Sequence, residues 1–441
     1  MRPNPRLPRA RVPVQHEHMP DSTYRRNFVV LTADGLLFFL GMIFISYESV
    51  LPVFLARLGA PRTAIAIVPV AVAIGVNMPS LLAAPLVEAA ASKRRYILRH
   101  AVWQRVPWLL IALLIPLLAP GNAGLLIVLL LLSVLITTVS GGFVIPAFFD
   151  IIASTIPVER RGTLFALRSV LSYLFGIGGG LIVRLVLDNV AYPVNYSVLY
   201  AIATVVLFAG WVVFSFVQEP NRAPAAGPGT RGRLPKGHVV ARIKVVLGTN
   251  RSFRAYIIAR GLLVLAFATT SFFPVYLVEE FGLPDSASGV FAMITAATFV
   301  LVNPIFGRIG NTVGYKPVFL ASYISLGVAA IVGLSGLTAP WSYVLVVCTA
   351  VSHSVNLLSW NMTVEFAPEG QVPSYIGVSG FFIGVVAPLG VLLGSVVDFF
   401  GFAGLFVVTA LFAVAGFAVM AWGVEEPRSI RRRLNQPDLP I

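Results

Sequence analysis

Twelve apolar runs, most of them close to the length of a bilayer's hydrocarbon layer, restrict what this chain can become more than any other feature. A helix crossing that layer needs ~20 mostly apolar residues. Within lipid every backbone N–H and C=O must be satisfied internally, so long uninterrupted apolar runs become helices. The runs fall at roughly 28–50, 63–86, 103–119, 123–147, 164–187 and 196–217, then, after a polar interval, at 255–279, 288–306, 318–337, 341–362, 374–397 and 402–423. Soluble domains carry about 25% charged residues. This chain of 441 residues has 11% charged and 57% hydrophobic residues, with a mean hydropathy of +0.87. The fold class expected is an all-α membrane protein of twelve transmembrane helices.

The intervals carry the organisation. Residues 1–27 hold Pro3, Pro5, Pro8, Pro13 and Pro20 among arginines and read as a disordered tail. The apolar run that follows is too long for a signal-peptide core and lacks a convincing cleavage site, so it is expected to stay in the membrane. Residues 28–218 form one six-helix unit and 255–424 a second. Between them, 219–254 alternates Pro220, Pro224, Pro228 and Pro235 with glycines and bases and reads as a linker. Its end, with Ile243, Val245, Val246, Leu247 and Phe253 among bases, fits either an amphipathic surface helix or a plain basic connector. Residues 425–441 make a basic tail. Cys348, the single cysteine, can form no intrachain disulfide.

The net charge of +14 does not point to nucleic acid, because the bases sit in the intervals rather than in one basic domain with interleaved aromatics. They gather before the first run, at Lys93 to Arg99, at Arg160 and Arg161, in the linker, at Arg308 and Lys316, and in the tail. The alternate loops are poor in bases and hold Glu279, Glu280, Asp285 and Asp398. The positive-inside rule then places both termini and the linker in the cytoplasm.

The two halves repeat each other. Asn303-Pro-Ile-Phe-Gly-Arg-Ile-Gly-Asn-Thr-Val-Gly-Tyr-Lys-Pro317 has a twin in Ala84-Pro-Leu-Val-Glu-Ala-Ala-Ala-Ser-Lys-Arg94. Gly307, Asn311, Gly314 and Lys316 correspond to Ala84, Glu88, Ala91 and Lys93. Pro52 pairs with Pro274, Gly180 with Gly390, Asp188 with Asp398, and Asp150 and Pro157 with Asn361 and Pro368. Such parallel repeats occur in transporters that rock two halves about a site near the midplane.

With these motifs the chain resembles the major facilitator superfamily over residues 28–423. The duplicated Gly-x-x-x-Asp-x-x-Gly-x-Lys/Arg loop is met by Gly307, Gly314 and Lys316, with Asn311 in place of the acid; the first copy keeps Glu88 but replaces both glycines by alanine. Asp150, Pro157, Arg161 and Gly162 look like the family's loop between its fourth and fifth spans. The resemblance implies two pseudo-symmetric bundles and a cytoplasmic gate formed by Glu88, Lys93, Arg94, Asp150, Arg161, Gly307, Asn311, Gly314 and Lys316. No run shows a nucleophile and base pair, a His-Glu-x-x-His metal motif or a phosphate loop, so no enzymatic activity and no cofactor is expected. The alternative for Glu88, Lys93 and Lys316 is that they only mark the interface and enforce topology.

Charges inside spans are costly and normally face the bundle interior. Asp34 and Glu48, 14 residues apart on the first run, lie ~40° apart on a continuous helix and so share one face, as protonation sites at two depths. Alternatively, Asp34 pairs with Arg168 and Glu48 lies among headgroups. Arg168 and Arg260 suit an anionic substrate or, near their helix ends, a snorkelling role. His353, Asn356 and Trp360 fall on one face of the tenth run and are expected to line a cavity. Gly176 with Gly180 and Gly390 with Gly394 have close-packing spacing. Antiporter members of the family carry a Gly-Pro motif on the fifth span; here the proline, Pro388, is on the eleventh.

These residues predict a secondary transporter of a small organic solute by alternating access, coupled to protons and directed to efflux, with uptake symport or uniport, or a non-transporting sensor or scaffold, as alternatives. No metal site and no nucleic-acid partner is expected. The lipid bilayer surrounds the chain, which is expected to be monomeric, in the inner membrane of a bacterium.

Overall fold

A computed structural model describes residues 21–219, 246–248, 250–336, 339–367 and 372–429, and every regular element among them is helical. The first bundle contains Asp21–Ile45 continued by Val50–Arg57 as the first span. Arg62–Ala89 is the second, and Lys93–Ala101 with Val106–Leu118 the third. Ala123–Thr155, Val158–Asn189 and Val194–Phe214 complete it. The second bundle repeats the scheme, beginning with Arg251–Thr270 and Phe273–Glu280 as the seventh span. Ala287–Thr312, Lys316–Leu334 and the broken pair Ala339–His353 and Val355–Phe366 are the eighth to tenth.

Eleven helical stretches are long and apolar enough to cross a membrane, and the last, Tyr375–Ser429, has 55 residues. At about 1.5 Å per residue that is far longer than a ~30 Å hydrocarbon layer. The chain folds back at Gly401, whose φ of 64° and ψ of −169° suit only glycine. The stretch is therefore the eleventh and twelfth spans, and twelve crossings result.

Helix starts correct two of the expected boundaries. The first helix begins at Asp21, so the final residues of the expected tail are helical. The seventh begins at Arg251, where the Asn250 side chain caps it by accepting the Phe253 N–H at 2.9 Å. Arg251 to Arg254 thus belong to a span rather than to the linker. Residues 220–245 and 249, and with them most of the linker, lie outside the described residues; of the candidate surface helix, 246–248 are helical and 251–254 open the seventh span.

Polar ends tie neighbouring spans together on the side that carries the chain ends. The Asn27 amide donates to the Gln218 carbonyl and accepts the Gln218 N–H, each at 2.9 Å, joining the first and sixth spans. Between bundles the fifth span packs against the eighth and the second against the eleventh. The fifth and eighth meet where Gly180 faces Gly289. A Cβ added at Gly289 would lie 2.6 Å from the Gly180 carbonyl oxygen and 2.5 Å from the Arg184 nitrogen, so only glycine permits this backbone approach.

The ion pairs that cross between bundles among the described residues sit either midway along the spans or at the side opposite the chain ends. Arg62 is bidentate to Glu279, at 2.8 Å and 2.5 Å, and Arg57 lies 3.7 Å from Asp285, which also accepts the Tyr196 hydroxyl at 3.2 Å. The bundles are therefore closed against each other on that far side. Gly289→Val would wedge the fifth and eighth spans apart there. Overpacking of ~1–3 kcal/mol shifts the ratio of far-closed to far-open molecules by about 5- to 150-fold. Spin labels placed across the far ends of the first and seventh spans should then report longer distances; an unchanged distribution would refute this packing.

A polar junction at the bundle interface

Three spans lose helical continuity at similar depth. The first breaks between Ile45 and Val50, where Ser46 has a φ of 26° and Ser49 donates both its hydroxyl, at 2.7 Å, and its N–H, at 3.1 Å, to the Ser46 hydroxyl oxygen. The seventh breaks after Thr270, whose hydroxyl bonds back to the Phe267 carbonyl at 2.8 Å. The tenth breaks at Ser354, bonded back to the Ala350 carbonyl at 3.0 Å. Ser and Thr hydroxyls that bond back to the preceding turn bend helices. Irregular backbone at membrane depth is tolerated only where protein buries it or a wet cavity lies beside it.

The breaks bring together residues from both bundles. Glu48 Oε1 lies 2.9 Å from His353 Nδ1, and Thr270 Oγ1 lies 3.3 Å from His353 Nε2. The Phe267 ring packs 4.1 Å, centroid to centroid, from the imidazole. The Glu48 side chain is 44% exposed while that of His353 is 11% exposed, so the carboxylate is the member of the pair open to the space between bundles. This corrects two expectations. Glu48 is not among headgroups, and the break at 46–49 removes the continuous helix on which it would share a face with Asp34.

Asp34 turns instead into the first bundle, where it is buried. Arg168 Nη2 lies 3.4 Å from its carboxylate, Arg168 Nη1 donates to the Leu31 carbonyl at 3.3 Å, and the guanidinium rests over Phe148 at 4.6 Å. The charge of Arg105 also bears on Asp34. Arg105 is buried and donates to the carbonyls of Leu207 at 2.9 Å and Ala101 at 2.5 Å. It is not among the residues singled out from sequence, although a base just inside the third apolar run is visible there.

Arg260 does not snorkel. Only 7% exposed, it donates to the Ser379 hydroxyl of the eleventh span and holds its guanidinium 4.9 Å from the Trp360 ring centre. His353 and Trp360 thus both face the seventh span, whereas Asn356 is exposed and joins neither contact. The break at Ser354 is why a single helical face did not hold all three.

On the side of the chain ends, the repeated motifs close each bundle on itself. Lys93 Nζ donates to the carbonyls of Val87 and, at 3.0 Å, Ala90, while its N–H and the Ser92 hydroxyl each donate to Glu219 at 2.6 Å. Arg94 donates to the carbonyls of Ser215 at 3.2 Å and Val217 at 3.1 Å. In the second bundle the Lys316 N–H donates to Glu426 at 2.9 Å, and its Nζ to the carbonyls of Ala421 and Val424, both at 2.7 Å. Burial lifts the Glu426 carboxyl above the ordinary carboxylate range, and the backbone N–H groups of Lys316 and Tyr315 pull it part of the way back. Arg428 donates to Glu365 at 2.7 Å and to the Asn311 carbonyl at 2.6 Å.

Glu219 and Glu426 are the acids that sequence reasoning missed. The signal was a second repeat, Val217-Gln-Glu-Pro220 and Val424-Glu-Glu-Pro427, at the ends of the two halves. Gly307 and Asn311 lie in the eighth helix and Asp150 in the fourth, not in loops; Gly314 makes the turn, at a φ of 126°. Arg161 donates to the carbonyls of Ile156 at 3.0 Å and Ala153 at 2.6 Å, closing the end of the fourth span. The Glu88 side chain lies outside the described residues.

A model of the Major Facilitator Superfamily matches residues 37–364 and 261–439. No curated protein matches the chain. Among solved structures, a D-xylose-proton symporter aligns with a TM-score of 0.71 at 12% identity, covering 92% of this chain and 98% of that one. A nucleoside transporter aligns with a TM-score of 0.68 at 14% identity, covering 89% and 99%. The human organic anion transporter MFSD10 aligns with a TM-score of 0.59 at 17% identity, covering 91% and 100%. At such identities the likeness is one of fold.

Proposed function

The chain belongs to the Major Facilitator Superfamily and is a secondary transporter rather than an enzyme, and from that premise we propose that it couples a small organic solute to protons through Glu48 and His353. The observation that carries this reading is their 2.9 Å contact across the bundle interface. A carboxylate and an imidazole are the two side chains that gain or lose charge most readily near neutral pH when their surroundings shift them. Here one sits on each rocking body. Any change in the charge of either alters how strongly the bundles hold each other, which is what a ligand must do to shift a two-state equilibrium.

The side carrying the chain ends is the cytoplasmic one in this reading, on the positive-inside distribution of bases, and the membrane is a bacterial inner membrane. The far side, closed by Arg62 with Glu279 and Arg57 with Asp285, is then the outer gate, and it is shut. Export in exchange for protons is the direction we assign. It is supported by Pro388 and Gly390, which turn the eleventh span into a short 3-10 segment, Ala387–Val391, against the second span. Uptake together with protons is the second reading, favoured by the buried cation Arg260, since an anion travels more readily with a proton than against one.

The test is solute flux by the purified protein in liposomes under an imposed pH gradient. Accumulation that an uncoupler collapses is expected, and the gradient polarity that supports it gives the direction. Accumulation indifferent to the uncoupler would remove protons from the mechanism, and no flux of any solute would leave a sensor or scaffold.

A further inference from the structure

Arg260 is a cation without a countercharge. Its guanidinium meets the hydroxyls of Ser379 and Tyr256 and the face of Trp360, and no carboxylate among the described residues lies against it. Arg168, by contrast, is paired with the Asp34 carboxylate at 3.4 Å. Removing an unpaired charge from water is expensive unless something compensates it. A cation–π contact and two hydroxyls compensate in part. No other hydrogen bond among the described residues uses the remaining guanidinium N–H groups. They are donors open to an acceptor that is not part of this chain.

The surroundings are built rather than incidental. Tyr256, one turn before Arg260, is locked by its hydroxyl to the Ser359 carbonyl at 2.7 Å and the Thr363 hydroxyl at 3.1 Å. This holds the seventh span against the tenth where Trp360 turns toward Arg260. Along the seventh span, Arg260 and Phe267 are seven residues apart, which places them on one face about 10 Å from each other. Phe267 is the residue whose ring packs against His353, tilted by 48°. Arg260 therefore lies about 10 Å along the seventh span from the residue that packs on the His353 ring of the Glu48–His353 junction.

We propose that Arg260 anchors the carboxylate of the transported solute, with Ser379 holding the guanidinium edge in place and the solute's apolar body lying along Phe267 toward Glu48 and His353. Arginine suits this task because its planar fork pairs two donors with a carboxylate. The substrate class is then a small organic carboxylate about 10 Å long. The inference rests on the chain's being a transporter with its site between the bundles, but not on coupling to protons.

The experiment uses the purified full-length chain and three probe acids, benzoate, 3-phenylpropionate and 4-phenylbutyrate, each beside its uncharged amide. Thermal unfolding midpoints are followed against probe concentration. At least one acid should raise the midpoint saturably while its amide does not. Ser379→Ala should weaken the effect about tenfold, the scale of a hydrogen bond to a charged group. Arg260→Lys should retain part of it and Arg260→Gln none. The acid–amide comparison is made without any pH gradient, whereas proton coupling is read from flux under one, so a failure of proton coupling and a failure of the anion site are told apart. Acids and amides acting alike would overturn the proposal. So would an acid effect that survives Arg260→Gln. The comparison of acid with amide is made on the unaltered protein and does not depend on any variant folding.

Discussion

Glu48→Gln is expected to abolish solute-driven proton movement while leaving exchange of solute for solute intact. The amide keeps the shape of the side chain and can still meet His353 Nδ1, now 2.9 Å from Glu48 Oε1, but it carries no charge and takes up no proton. A hydrogen bond to a charged group contributes about 1.5–3 kcal/mol. With the Glu48 side chain 44% exposed, the lower end applies, since water screens the pair. That is ~1.5 kcal/mol, or about tenfold in the balance between far-closed and far-open molecules. The coupling effect is larger than this shift because it removes the titrating group itself. Liposomes with a trapped pH dye should show no solute-evoked change for the variant and a clear one for the parent chain. Proton movement that persists in the variant would sink the assignment of Glu48.

Arg168→Ala should be the most destabilising of the single changes considered. Asp34 is buried and its nearest cation is Arg168, at 3.4 Å. Breaking a buried pair by removing one partner destabilises by about 3–5 kcal/mol, because the remaining charge is left uncompensated. Arg105 still acts on Asp34, so the lower part of that range is expected. Asp34→Asn added to Arg168→Ala should restore most of the lost midpoint, since no unpaired carboxylate remains. If the double variant is as unstable as the single one, packing of Arg168 over Phe148 rather than its charge holds the site. The same reasoning makes Asp34 a structural residue of the first bundle, so a functional proton site there would show as lost coupling in a stable Asp34→Asn protein.

The architecture was legible from hydropathy because the bilayer demands long apolar helices. The twofold repeat was legible because Lys93 and Lys316 keep their spacing. The fold-back at Gly401 was legible as a gap between two runs, where the backbone leaves helical φ/ψ. What could not be read was where helices break. Ser46, Thr270 and Ser354 are ordinary residues in apolar runs, and only the tertiary setting turns their hydroxyls into breaks that gather Glu48 and His353. For the same reason the azimuth linking Asp34 to Glu48 failed: it assumed an unbroken helix. Arg260 was ambiguous because depth along a run does not say whether a long side chain reaches water. Ser379 and Trp360, from two other spans, decided it. Glu219 and Glu426 were hidden just beyond apolar runs, beside Pro220 and Pro427, where a polar residue is unremarked.

The central claim is that a protonatable contact joins the two bundles at the solute site. It is tested most directly by measuring proton exchange when a transported solute is added to the purified protein in weakly buffered solution with a pH indicator. The account predicts a proton signal for the parent chain, release marking exchange and uptake marking co-transport, and none for Glu48→Gln. An equal signal from both proteins, or none from a parent chain that binds solute, would contradict it.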